Sequence, residues 1–401
     1  MKGRHQWTFL ARFRRGAFGW RSQPAITRIK EAVSEIKQAA RQDPLLGAEG
    51  AVLLLERLSP ALEHVDSSSG AIGTAVNHAI EALVPVIAGA DADDRLRESW
   101  LERLWRAVEE DEMPYIELLP DYWGELCASP VRASRWADRF IGRVRLAWSP
   151  NPEMRGYFKG TTACLSALFT AGRYDELLQL LELAPHKMWA YRQWGVKALA
   201  AQGRRAEALR YAEDSGGLNE SPVPIAQACE EILLASGMAE EAYNRYAITA
   251  SRKATYLATF RAIVKKYQQK KPEAILNDLV ASTPGDEGKW FAAAKEAGLH
   301  REAIDLARRS PCDPRTLIRA ARDMAAKEPS FAVEAGMAAL RWIAAGYGYD
   351  ITSADVWEAY NHTISAAERA GCRAETVERI RKLVAEDSAD NRFVAQVLTH
   401  P

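Results

Sequence analysis

A chain of 401 residues with 48% hydrophobic content can bury one large core or a long series of small ones. Its formal net charge of zero removes any global pull toward nucleic acid or an anionic membrane. Five dispersed cysteines (Cys127, Cys164, Cys229, Cys312 and Cys372) with no C-x-x-C pair argue against a disulfide framework and read as reduced, buried thiols of a cytoplasmic protein.

Neutrality conceals an asymmetry. Up to Lys30 the chain carries eight cations (Lys2, Arg4, Arg12, Arg14, Arg15, Arg21, Arg28 and Lys30) and no acid, so the first 30 residues hold +8 and the other 371 hold −8. Within residues 1–23 the cations interleave with Trp7, Phe9, Phe13, Phe18 and Trp20. Such an arm can contact phosphates and stack on bases, or lie on an anionic membrane surface. Gly16 and Gly19 interrupt any long amphipathic helix, which weakens the membrane reading. The leading expectation is plainer: the arm folds back on the acidic body with its rings in a groove. If it is a contact element instead, Arg12, Arg14, Arg15, Trp20 and Arg21 are its contact residues. The N-terminus has no uninterrupted apolar stretch, which predicts no secretory signal.

Residues 24–149 read as an N-terminal helical region. Ile26, Ile29, Ala32, Val33 and Ile36 recur at three and four after Pro24, which suits a helix start. Val52–Leu58 continues an apolar helix, and Pro60 is expected to begin another short one. Asp66–Gly70 reads as a capping loop, and Pro85 is expected to kink or end the next helix early. That helix lies in the most apolar stretch, 71–90, whose Asn77, His78 and Glu81 read as too polar to span a membrane. Leu96, Trp100, Leu101, Leu104, Trp105 and Val108 make 93–108 strongly amphipathic. The acidic run Glu109–Glu112 after it is expected to be solvated or to dock the basic arm. Two more helices are predicted over 115–127 and 131–148. Arg132, Arg135, Arg139 and Arg143 line one face of the second, a stripe that is either a solvated helix face or a second candidate contact surface.

Ser149–Gly156, with two prolines, is the best internal boundary. From 150 to 401 a pattern returns. Gly172, Gly203, Gly237, Gly298 and Gly371 are each followed four residues later by Glu176, Glu207, Glu241, Glu302 and Glu375. Two further copies keep Glu-Ala and replace the glycine turn with proline: Pro272 before Glu273, and Pro329 before Glu334. The seven glutamates are separated by 31, 34, 32, 29, 32 and 41 residues. Glycine closes a helix in the left-handed conformation, and the glutamate falls in the first turn of the next helix, on the positive end of its dipole. A small residue after it admits close helix approach. Each unit is therefore a helical hairpin that cannot bury its apolar face alone, so the prediction is an all-α solenoid of stacked hairpins.

The Gly-x-x-x-Glu-Ala hinge at this period resembles the tetratricopeptide repeat, over roughly 161–384. The likeness implies a TPR-like, right-handed superhelix with a concave face that takes a peptide or a partner helix. Second helices are expected to be short, as at 177–184 before Pro185. The runs 256–262, 283–291 and 310–317 also resemble a family of uncharacterised bacterial helical-repeat proteins, which implies a bacterial source.

Chemistry is harder to find. The seven histidines are dispersed, with no H-E-x-x-H, no zinc-spaced Cys/His cluster and no G-x-S-x-G. Seven glutamates at one hinge point to structure, and Asp286 with Lys289 reads as a capped helix start. The expectation is a non-catalytic scaffold for protein–protein interaction, without cofactor or metal. The alternative is a nucleic-acid-binding repeat protein using the arm and the arginine stripe.

Overall fold

The computed structural model describes residues 5–217, 221–385 and 393–399, and among these there are 21 α-helices and no strand. Lys2 and Arg4 lie outside the described residues. The helices pack in adjacent pairs, and the chain divides into two compact units, Met1–Gly237 and Met238–Pro401.

In the first unit the arm is seated on the body. Trp7, Phe9, Phe13 and Phe18 are buried, each ring meeting the next along the chain, with Phe13 and Phe18 5.4 Å apart. They lie against α1 (Ser22–Gln42) and α2 (Pro44–Leu62). Gly50 makes room for them: a Cβ there would stand 2.3 Å from the Trp7 ring. Thr8 donates to Glu35 through N–H and hydroxyl at 2.7 and 2.6 Å, while Arg12 pairs with Glu31 and Arg15 with Glu63. Four buried rings at roughly 1.5–3 kcal/mol each outweigh two exposed ion pairs at about 0–1 kcal/mol each. The rings seat the arm.

The run 109–112 is not its dock. Asp111 is buried, takes the Ser59 hydroxyl at 2.5 Å, and accepts the Tyr115 and Ile116 amides at 3.4 and 2.9 Å. That carboxylate competes with the helix ladder. Residues 115–118 are accordingly not helical, and a 3₁₀ turn at Leu119–Tyr122 leads into the short α5 (Trp123–Cys127). Pro60 likewise starts no helix. It sits in the last turn of α2, beside the buried Leu58, Ala61 and Leu62 that hold that turn in place. Pro85 is tolerated in the last turn of α3 (Ala71–Ala88). By length and composition, with mean hydropathy 1.4, α3 is apolar enough to cross a membrane, contrary to the sequence expectation. Its Ile72, Val76, Ile80, Leu83 and Ile87 are buried, and the helix packs on α1, α2 and α5.

Asp93 caps α4 (Asp94–Glu109), and Ser129 caps α6 (Pro130–Ala147). Trp105, Trp123, Trp136 and Phe140 interlock behind them at centroid distances of 4.6–6.1 Å. The turn 149–156 lies within the first compact unit. It folds on itself, Gly156 N–H donating to Ala147 O at 3.1 Å, and returns the chain as α7 (Thr161–Thr170) against α5 and α6. Its prolines mark a change of direction without a loss of packing. Then follow α8 (Tyr174–Glu182), α9 (Trp189–Ala201), α10 (Arg205–Glu213) and α11 (Pro222–Ala235); α8 and α10 are as short as expected.

The second unit continues with α12 (Ala239–Ala250), α13 (Tyr256–Lys266), α14 (Pro272–Ala281), a 3₁₀ turn at Glu287–Trp290, α15 (Phe291–Glu296), α16 (His300–Arg309) and α17 (Pro314–Met324). It ends with α18 (Pro329–Ala344), α19 (Ser353–Ala370), α20 (Arg373–Ala385) and α21 (Phe393–Thr399). Eleven residues of α18 are buried between α17 and α19, which makes it the centre of this unit.

All five hinge glycines are left-handed, with φ between 72° and 76°. At four of them both bonds of a Schellman closure form; Gly203 N–H donates to Ala200 O and Arg204 N–H to Leu199 O. Six of the seven glutamates fall in the first turn of the following helix. Glu334 does not, because it lies well inside α18. The residue after the glutamate is buried at six hinges, and Ala274 is the exposed exception.

Candidate functional site

Each unit carries a cleft on the face made by the first helices of its hairpins, those that precede a Gly or Pro hinge. In the first unit a cleft of about 540 Å³ is lined by Phe169 of α7, Gln193, Val196 and Lys197 of α9, and Gln227 and Glu231 of α11, with Arg205 at the start of the second helix α10. In the second, a cleft of about 610 Å³ is lined by Arg261 of α13, Lys295 and Glu296 of α15, and Thr316, Arg319 and Asp323 of α17. No residue of the second helices α14 or α16 lines it.

Both clefts mix signs of charge. The Lys197 ammonium stands 4.2 Å over the Trp194 ring. Desolvation pulls its pKa down, opposed by Asp121 and Glu231. Burial pushes the Asp121 carboxyl up, opposed by Thr162 and Lys197. In the second unit Arg261 Nε holds Glu296 at 2.7 Å, which lowers that carboxyl. Asp313 caps α17 by accepting from Thr316 N–H at 2.9 Å. Lys295 and Arg319 make no ion pair among the described residues. These cleft residues were missed in the sequence because nothing in their local pattern differs from a solvated face.

The residues expected at a contact surface part company. On the arm Arg12 and Arg15 are paired, whereas Arg14 and Arg21 are exposed without an ion pair among the described residues, and Trp20 is 72% exposed. The stripe on α6 is matched by acids of α4. Arg132 is buried, bonding Asp94 and the Cys127 carbonyl. Arg135 also reaches Asp94 at 3.6 Å, Arg139 binds Glu102, and Arg143 faces Glu109 at 3.7 Å. Asp94, Glu102 and Glu109 recur at eight and seven residues, one side of a helix, and that spacing is the signal that could have paired the two stripes.

Three of the hinge glutamates are tied to an arginine three or four residues away, and none of the seven lines either cleft. Glu176 accepts from Arg173 at 2.8 and 2.6 Å and from Arg145, Glu207 from Arg204, and Glu241 from Arg245. Glu334 bridges Arg308 of α16 and Arg379 of α20 at 2.6 and 2.7 Å. Glu273, Glu302 and Glu375 make no ion pair among the described residues. Asp286 caps no helix; it takes the Tyr256 hydroxyl at 2.9 Å and Lys289 at 2.9 Å.

All five thiols are free, and burial pushes Cys127, Cys164 and Cys312 up to about 12, so they stay protonated and unreactive. Among the described residues no group of three His, Cys, Asp or Glu side chains is placed to hold a metal. The chain matches no family model and no curated protein.

Proposed function

We propose that this chain is a non-catalytic, TPR-like scaffold. The hairpins of each unit stack as a right-handed α-solenoid, and the first-helix face takes an extended segment or a helix of a protein partner. One observation supports this: in each unit a cleft opens along successive first helices, α7, α9 and α11 or α13, α15 and α17. Their mixed charges suit a polypeptide, which brings both signs. A polynucleotide backbone calls for a row of unmatched cations, and the α6 arginines are answered by α4 carboxylates. Buried free thiols fit a reducing, cytoplasmic setting.

Photo-crosslinking residues placed at Gln193 and Arg319 of the full chain, in its own cells, test this. Discrete protein adducts are expected from both, and none from the exposed controls Arg210 and Arg301. Equal adducts at all four positions, or nuclease-sensitive ones, would sink it.

A second reading rests on Arg14, Trp20 and Arg21, the exposed part of the arm. There nucleic acid would bind through phosphate contact and stacking, and affinity would fall with salt at about 0.7–0.9 log-log units per phosphate. A salt-independent interaction excludes it.

A further inference from the structure

The second unit holds another cleft, of about 620 Å³, at the ends of α12 and α14 and along the turn that leads into α13. It lies within the range of roughly 300–1,000 Å³ that small-molecule sites occupy. It shares Ala254 and Tyr256 with the second unit's first-helix cleft, but the charge of its lining differs. Four aromatic rings and three cations face it, and no carboxylate does.

The rings are fixed from behind. Trp290 is buried, donates its indole N–H to Thr283 at 2.8 Å, and meets Tyr256 edge-on with centroids 4.7 Å apart. The Tyr256 hydroxyl donates to Asp286, and that of Tyr243 donates to Asp278 at 2.6 Å. The carboxylates of Asp278 and Asp286 are thus engaged by tyrosine hydroxyls outside the lining, and that of Glu241 pairs with Arg245 at 2.8 Å. Tyr246 and Tyr256 line the cleft half-buried, with Arg245 5.0 Å over the first ring and Lys289 5.6 Å over the second.

Two of the cations have no such partner. Arg252 and Lys253 are exposed and make no ion pair among the described residues. The turn that carries them is held by Lys253 N–H donating to Thr259 at 3.0 Å. Cations after a helix C-terminus are at home on the dipole alone, which accounts for their charge but not for the anchored rings beside them. Rings attract a flat heterocycle, and unopposed cations attract an anion. Nucleoside monophosphates carry both in a volume of this size.

We propose that this cleft binds a nucleoside monophosphate, its base laid on Tyr246 and Tyr256 and its phosphate held by Arg252 and Lys253. The site is separate from the scaffold reading and stands if that reading fails.

Calorimetric titration of the full-length protein with AMP tests it, with adenosine, inorganic phosphate and a short oligonucleotide as further arms. AMP is expected to bind, and adenosine or phosphate alone to bind at least about tenfold more weakly, since each forfeits one half of the recognition. R252A/K253A is expected to lose about tenfold or more in AMP affinity. Both side chains are exposed, so an unchanged melting curve shows that the variant is folded. No binding of AMP, GMP or UMP, an unchanged affinity in the folded variant, or binding of the oligonucleotide alone would each overturn the assignment.

Discussion

Hairpins hinged by glycine and hinged by proline behave differently, and the difference shows what sets register in a helical repeat. At Gly203 or Gly298 the Schellman bonds fix the turn, so the glutamate four residues on enters the first helical turn and the alanine after it is buried. Proline starts a helix but ties nothing behind it. After Pro272 the buried position is Ile275 and Ala274 is exposed; after Pro329 the glutamate stands mid-helix. Register there is set by tertiary packing. The 41-residue step to Glu375 has the same origin, because α18 and α19 run 16 and 18 residues where α7 and α8 run 10 and 9.

The largest expected effect sharpens this contrast. If packing sets α18, its tightest contact governs stability. A Cβ on Gly336 would lie 1.9 Å from the Thr363 hydroxyl, and Thr363 is fully buried and bonded to Ala359 O, so it cannot turn away. G336V is expected to cost ~3 kcal/mol, the upper part of the overpacking range, read by urea denaturation. At a glycine hinge the cost is conformational only. A Cβ on Gly298 would meet nothing within 4 Å, yet the residue's φ is 75°. G298V is expected to lose about 2 kcal/mol, the left-handed penalty for a side chain. Next comes P329A, expected to lose only about 0.4–1 kcal/mol through the freer unfolded chain. If P329A cost as much as G298V, the two hinge types would be equivalent and the comparison would break.

Much of this was legible in the sequence. The five glycine hinges needed only local spacing, because the left-handed turn is a local backbone event. Four of the arm's five rings sit as the leading expectation has them, whereas Trp20 stays exposed. What local pattern could not supply was the partner across space. Arg132, Arg139 and Arg143 looked like a free basic stripe until Asp94, Glu102 and Glu109 of α4 came to face them. Pro60 and the 115–118 loop were misread for a related reason. In each case burial or a distant carboxylate, that of Asp111 for the loop, overrides propensity. The residues of the two first-helix clefts were not legible, since a groove exists only between helices.

The smallest effect separates the two hinge types by pH. Glu207, at a glycine hinge, is fully exposed, and its pKa is lowered chiefly by the Arg204 hydrogen bond. Glu334 is more deeply placed: burial pushes its carboxyl up, but hydrogen bonds from Arg379 and Arg308 outweigh this and the net shift is downward. Both contributions are therefore complete above the ordinary glutamate pKa of about 4.3 and are lost as pH falls through the lower folded value. Salt separates them, since exposed pairs are screened and half-buried ones far less so. At high salt, melting temperature at pH 6 should fall in E334Q and stay unchanged in E207Q. The gap between E334Q and the parent should then close as the solution is taken below the folded pKa of Glu334. A gap that persists in acid would mean that Glu334 acts through packing, and that its two arginines do not hold it as a charge.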